Sequence, residues 1–219
     1  MDKRFRIAGI SAAIIFAIAI WLSPSNPPPI PEPMTNDGNE FVQVLATNLE
    51  KPWAIDFAND KIFVTEKVGR IRVIESGVLL ENPLATLRTA NVFDGGLLGI
   101  AVHPAFDKNH FIYIYYTYEK DGTLWNKILR ITESDNKLDA AKTIFDNMPG
   151  SVYNNGGIIK FGPDGKLYVG TGSVSDSSHG SQDIESLEGK ILRLNDDGTI
   201  PDDNPFSNSP VFSFGHMNP

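Results

Sequence analysis

The sequence predicts an all-β fold of the propeller class, and three observations predict it. Strand-forming stretches separated by turns recur as a set three times between residues 41 and 219. Each set closes on a strand that begins with a basic residue and mixes basic with apolar ones: Arg70-Ile71-Arg72-Val73, Lys127-Ile128-Leu129-Arg130 and Lys190-Ile191-Leu192-Arg193. The apolar first strands, centred on Ile55, Ile100 and Ile159, lie 45 and then 59 residues apart. A repeat of this length made only of strands is the pattern of propeller blades. A β-sandwich also alternates strands with turns, but it does not require one strand set to appear three times. Sustained 3.6-residue periodicity is missing, so no helix longer than about two turns is expected.

Taken in order, the first set runs Ala54–Phe57, an Asn59-Asp60 turn, Ile62–Thr65, a turn at Gly69 and Arg70–Ile74. The second runs Leu98–Val102, a longer turn through Pro104 and Asp107, Phe111–Tyr118, an Asp121-Gly122 turn and Lys127–Ile131. The third contains Tyr153–Gly172, where Ile159, Phe161, Leu167 and Val169 alternate as on a half-buried sheet. Between them Gly162-Pro163-Asp164-Gly165 reads as a β-turn, since proline presets φ at the second position and glycine closes the turn. After a long loop comes Gly189–Leu194. Three blades fall short of the about four to eight that close a ring. The expectation is therefore a piece of a longer chain, with pairing of two copies as the alternative.

Composition sets the surroundings. Hydrophobic residues make up 41% of the chain, enough for a packed interior, and thirteen Phe with six Tyr suit pleated sheet surfaces. Net charge is −8; Lys3, Arg4 and Arg6 against Asp2 give the first six residues +2, leaving −10 on the rest. An acidic body of this kind argues against a nucleic-acid partner. The absence of cysteine excludes disulfides, thiolate zinc sites and thiol catalysis.

The basic start is followed by an uncharged run from Ile7 to Leu22. That order, basic then apolar, is the pattern of an export signal. Residues 1–22 are expected to form an uncleaved signal anchor or a cleaved signal peptide, with the body outside the cytoplasm, membrane-attached or secreted. Residues 23–40, opening Ser23-Pro24-Ser25-Asn26-Pro27-Pro28-Pro29, read as an extended proline-rich linker. Residues 41–219 are the propeller part.

Several stretches carry a resemblance. They are Gly95-Gly96-Leu97-Leu98-Gly99-Ile100-Ala101-Val102-His103-Pro104; Asn155-Gly156-Gly157 with Gly162–Tyr168; Gly189–Leu194 leading into Ile200-Pro201-Asp202-Asp203-Asn204-Pro205-Phe206; and Gly215-His216-Met217-Asn218-Pro219. In this order they resemble the soluble aldose (glucose/sorbosone-type) sugar dehydrogenases that use pyrroloquinoline quinone, over the N-terminal half of that family's domain. The resemblance implies a six-bladed β-propeller of four-stranded blades, about three of them in this chain. It implies pyrroloquinoline quinone and calcium as cofactors, and an aldose oxidised at its C1 hydroxyl with hydride passing to the quinone. A histidine base would take the hydroxyl proton, as its ordinary pKa suits near-neutral proton transfer.

Residue by residue, the resemblance places Asn154 where that histidine stands and Ile158 where an arginine follows the paired glycines. Met217 stands in place of an arginine facing the quinone, and Asn218 keeps the family's asparagine. Asp94 lies where a sugar-contacting Gln or Glu is common, and is read equally as a sugar contact or a turn residue. An amide donates and accepts hydrogen bonds but takes no proton near neutral pH. The alternative to the dehydrogenase is thus a catalytically lapsed propeller that binds a carbohydrate or a protein outside the cytoplasm. No metal-ligand set is assigned. His103 is read as structural, His110 and His179 as exposed, and His216 as a neighbour of the cofactor face. The acidic loop Asp196–Asp203 is read as a solvated turn, since it lacks EF-hand spacing.

Overall fold

The inner faces of three antiparallel sheets form the core, and each sheet comes from one continuous stretch of chain. The computed structural model describes residues 43–174 and 179–219, so the segments read as an export signal (1–22) and a linker (23–40) lie outside the described residues. Blade 1 comprises β1 (Pro52–Ala58), β2 (Lys61–Glu66), β3 (Arg70–Glu75) and β4 (Val78–Leu79), hydrogen-bonded in that order, with β5 (Ala85–Thr86) also paired to β3. Blade 2 comprises β6 (Leu97–Val102), β7 (Phe111–Lys120), β8 (Thr123–Ser134) and β9 (Lys137–Pro149), with a four-residue helix α1 (Phe106–Asn109) between β6 and β7. Blade 3 comprises β10 (Gly156–Phe161), β11 (Leu167–Thr171), β12 (Lys190–Leu194) and β13 (Val211–Phe214), with α2 (His179–Gln182) between β11 and β12.

Sequential pairing needs tight turns, and the turn residues explain it. Asp121 and Gly122 between β7 and β8 have φ of 52° and 75°, and Asp135 and Asn136 between β8 and β9 have 49° and 60°. Two positive φ values in a two-residue loop give the turn whose twist matches the flanking strands, and Asp, Asn and Gly tolerate it best. At the Gly162–Gly165 turn the Gly165 N–H donates to the Gly162 carbonyl at 3.0 Å.

Strand alternation distributes the core. In β7, Ile112 and Ile114 join Phe63, Ile71, Val73 and Ile131 between blades 1 and 2. Tyr113 and Tyr115 point the opposite way, into Ile159, Val169, Leu192 and Leu194 of blade 3. Blade 2 is therefore covered on both faces, which is why its second strand is apolar throughout. The first strands lie together: β6 adjoins both β1 and β10. Ile55, Ile100 and Ile159, the spaced residues of the sequence repeat, line one cavity of ≈ 400 Å³ there.

The closest approach occurs at glycines. A Cβ on Gly99 would stand 2.0 Å from the Gly157 carbonyl oxygen. Gly99 thus permits strand packing between blades 2 and 3, while a Cβ on Gly96 would stand 2.4 Å from the Lys67 carbonyl oxygen, at the approach of blade 1.

Candidate functional site

The site grows from the loop between β9 and β10. Asn155, 1% exposed, organises it from below. Its side-chain oxygen accepts from the Ser151 N–H at 3.0 Å and the Asn126 amide at 3.1 Å, and its own amide donates to the Ser151 carbonyl at 2.7 Å. The Tyr115 hydroxyl donates to the Asn155 carbonyl at 2.8 Å, and the Thr117 hydroxyl donates to Asn126 at 2.7 Å. Burial without these partners would leave an amide unsatisfied, at a cost of about 1–3 kcal/mol. With them, the loop has one preferred shape.

Above that network Asn154 adopts the left-handed backbone, φ 56°. Asparagine and histidine are both enriched there, so the backbone accommodates either side chain. The Asn154 N–H donates to the Asp94 carboxylate at 3.0 Å, and the Asp94 N–H donates to the Val152 carbonyl at 2.8 Å. From the other side, the Asn218 side-chain oxygen accepts from the Gly156 N–H at 2.8 Å. The Met217 carbonyl accepts from the Ser173 N–H at 2.7 Å, while its side chain is 71% exposed. The four residues singled out in the sequence, Asp94, Asn154, Met217 and Asn218, are thus brought to one loop by three different segments.

Asn154 also lines a cavity of ≈ 380 Å³ with Met217 and His216. The His216 Nε2 lies 2.7 Å from the Ser213 hydroxyl, and the backbone N–H of His216 donates to the Gly189 carbonyl at 3.0 Å. Paired glycines follow Asn155 because the chain is crowded. A Cβ on Gly157 would meet the Leu98 side chain at 2.8 Å, and one on Gly156 would meet the Gly170 carbonyl at 2.6 Å.

One cation beside the site carried no signal in the sequence. Lys67, in the turn after β2, is 8% exposed, and its ammonium donates to the Phe93 carbonyl at 2.6 Å. It also stands 4.7 Å from the centre of the Trp53 ring. Burial lowers its pKa, the Asp94 carboxylate acts against that shift, and Lys51 adds to it. Only the fold brings Lys67 to Phe93 and Asp94.

Of the remaining candidates His103 is half-buried, while His110, His179 and Asp203 are exposed. The His103 Nδ1 accepts from the Ala105 N–H at 3.0 Å and contacts the Asn109 amide at 2.9 Å, and its ring stacks near Tyr113. Burial lowers its pKa, although Asp196 at 3.6 Å pulls the other way. His110 has its Nδ1 3.6 Å from the Glu133 carboxylate. In the acidic loop, Asp203 forms a two-point pair with Arg193, at 2.7 and 3.1 Å, while Asp164 accepts from the Arg193 Nε at 3.0 Å.

Comparison with known proteins bears on the family and the fold. The sequence profile of the Glucose / Sorbosone dehydrogenase family matches residues 49–219. The chain is 31% identical to aldose sugar dehydrogenase YliI of Escherichia coli, over 81% of this chain and 51% of that protein. It is 32% identical to quinoprotein glucose dehydrogenase B of Acinetobacter calcoaceticus, over 81% of this chain and 44% of that one. The structure of the PQQ-bound form of aldose sugar dehydrogenase from Streptomyces coelicolor superposes with a TM-score of 0.73 at 36% identity, covering 81% of this chain and 54% of that one. The chain spans about half the length of the curated relatives it matches. Three consecutive four-strand meanders, packed through their first strands and bearing these motifs, have one common explanation: the chain belongs to the Glucose / Sorbosone dehydrogenase family.

Proposed function

We propose that this face binds an aldose-type sugar through Asp94, Asn154 and Asn218, and that it does not oxidise the sugar at the Asn154 position. The observation that carries the reading is the loop itself. Asp94 and Asn218 hold it from two sides, at 3.0 and 2.8 Å, yet the side chain it presents is an amide. Carboxylate and amide groups suit sugar hydroxyls, which both donate and accept. Removing the proton of a C1 hydroxyl needs a base within hydrogen-bond reach, and an amide is not one.

The same residues fit the family's quinone poorly. Pyrroloquinoline quinone carries carboxylates, whose natural partners are cations. Where the resemblance implies arginine, Ile158 and Met217 present apolar side chains that are 56% and 71% exposed. Nearby lysines are engaged, Lys67 with the Phe93 carbonyl, Lys160 with Asp56 at 3.1 Å and Lys190 with the Ser181 carbonyl at 3.0 Å. The export signal read at residues 1–22 supports a position outside the cytoplasm, attached or released.

Calorimetric titration of the full chain with glucose tests the binding. Saturable binding is expected, weakened about tenfold in Asp94→Ala, which removes a charged acceptor. Equal affinity in the two proteins would contradict the assignment of Asp94.

A further inference from the structure

Blade 2 ends on a long bare edge. Its fourth strand, β9, pairs with β8 alone, and residues 137–143 are all exposed. Both faces of this blade are covered, by blades 1 and 3, so its rim is the part left to a partner. The fourth strands of blades 1 and 3, β4 and β13, have only two and four residues. Folded proteins keep such edges short, because a row of unpaired N–H and C=O groups invites another strand. Among the described residues, one backbone bond leaves blade 2 from this stretch, from the Leu138 N–H to the Leu84 carbonyl at 3.1 Å.

The charges along this edge lack partners. Lys142 stands opposite Arg130 of β8, so two cations share one cross-strand position. Like charges directly opposite each other destabilise a strand pair. The Arg130 guanidinium lies over the Phe111 ring at 4.1 Å, which leaves Lys142 as the cation facing outward along the rim. Lys142 helps to lower the pKa of Asp197 in blade 3, but among the described residues neither Lys142 nor Asp139 forms an ion pair.

The edge is also complementary to itself. Two copies of it, run antiparallel about a two-fold axis between Ala140 and Ala141, set Asp139 of each opposite Lys142 of the other. Opposite charges placed so stabilise a strand pair, and the symmetry gives the contact twice. The alanines meet at the axis, where their small side chains allow close approach. Sliding the register by one residue in either direction separates the charges. The regular part of the edge is bounded, for the β8–β9 register shifts on either side of residues 140–143. Bulges interrupt a ladder, so the pairing stops after a few residues and closes as a dimer.

We propose that the β9 edges of two copies of this chain pair antiparallel about the Ala140–Ala141 axis, joining their second blades into one continuous sheet. The occupant of the edge is thereby a second copy of the chain. This surface lies on the rim and does not depend on the sugar-binding reading above.

Sedimentation equilibrium of the full chain tests it, for the wild type, Asp139→Lys, Lys142→Asp and an equimolar mixture of the two variants. A strand-edge contact falls below the about 1,200 Å² of a stable interface, so reversible dimers are expected with a Kd of about 100 μM. Each variant alone sets like charges opposite each other and should associate at least about tenfold more weakly. The mixture restores both opposite-charge contacts, so the two variants should form a heterodimer with close to the wild-type affinity. A variant that had merely lost its fold would not be rescued in this way, and thermal unfolding confirms that each is folded. A wild type that stays monomeric throughout overturns the proposal. So does an association that neither reversal changes, as contact through the apolar residues 7–22 would give. Failure of the mixture to associate overturns the register.

Discussion

At the scale of single residues, the decisive position is Asn154. Its backbone bends left-handed, its N–H is held by Asp94, and it lines the cavity that Met217 and His216 share. The family resemblance made this position readable in the sequence, because the paired glycines after Asn155 align the loop. The Asp94 contact was not readable, since it joins residues 60 apart in the chain. Lys67 was missed for the same reason. A buried pair elsewhere offers a sharper energetic test. Glu133 is 3% exposed and bonds to Lys61 of the neighbouring blade at 2.9 Å. Burial alone would raise its pKa, but the Lys61 ammonium, the Asn136 N–H and His110 together hold it below the ordinary carboxylate value. Its stabilising effect is therefore present above about pH 4.5 and is lost as the pH falls through the lower folded-state value. Lys61→Met strands the carboxylate, at an expected cost of about 3 kcal/mol near neutrality. That cost should shrink as Glu133 protonates in acid, and urea denaturation across pH checks both the size and the trend. His103 acts with the same sign at higher pH. Burial lowers its pKa, so stability falls as the pH drops below its ordinary value of 6.5, where the unfolded chain binds the proton more readily. An NMR titration of the His103 ring should show protonation only below that value.

At the scale of elements, the third strand of each blade was the most legible. The three basic endings found in the sequence fall in β3, β8 and β12, each third in its sheet. The fourth strands carried little pattern. The first seven residues of β9 are exposed, and β4 has only two residues. An outer strand with a partner on one side needs little apolar alternation, so sequence periodicity does not announce it. The paired-glycine motif, which carries the family resemblance, is also a packing device. Gly172 shows how tight that packing is, for a Cβ there would lie 1.6 Å from the Asn154 carbonyl oxygen. Gly172→Ala is expected to cost about 3 kcal/mol and to displace the Asn154 loop. Gly122→Ala is the comparison. Nothing lies within 4 Å of its Cβ, so only the positive φ of 75° opposes it, at about 1 kcal/mol. Thermal unfolding of both variants measures the difference, and equal losses would contradict the close approach.

At the scale of the whole molecule, blade 2 carries the arrangement. Alternating Ile and Tyr in β7 face blades 1 and 3, so one strand contributes to both inter-blade cores. That is why a three-fold sequence repeat sufficed to identify the architecture. The loops that bear the candidate site ride on this frame, and Asn154, Ile158 and Met217 are the positions at which the resemblance implies a histidine and two arginines instead. The central claim is that a sugar is bound here but is not oxidised with Asn154 in the base position. It is tested most directly by a dye-linked assay of the full chain supplied with pyrroloquinoline quinone, calcium and glucose. The account predicts dye reduction no faster with glucose than without it. Glucose-dependent reduction that saturates with sugar would contradict it.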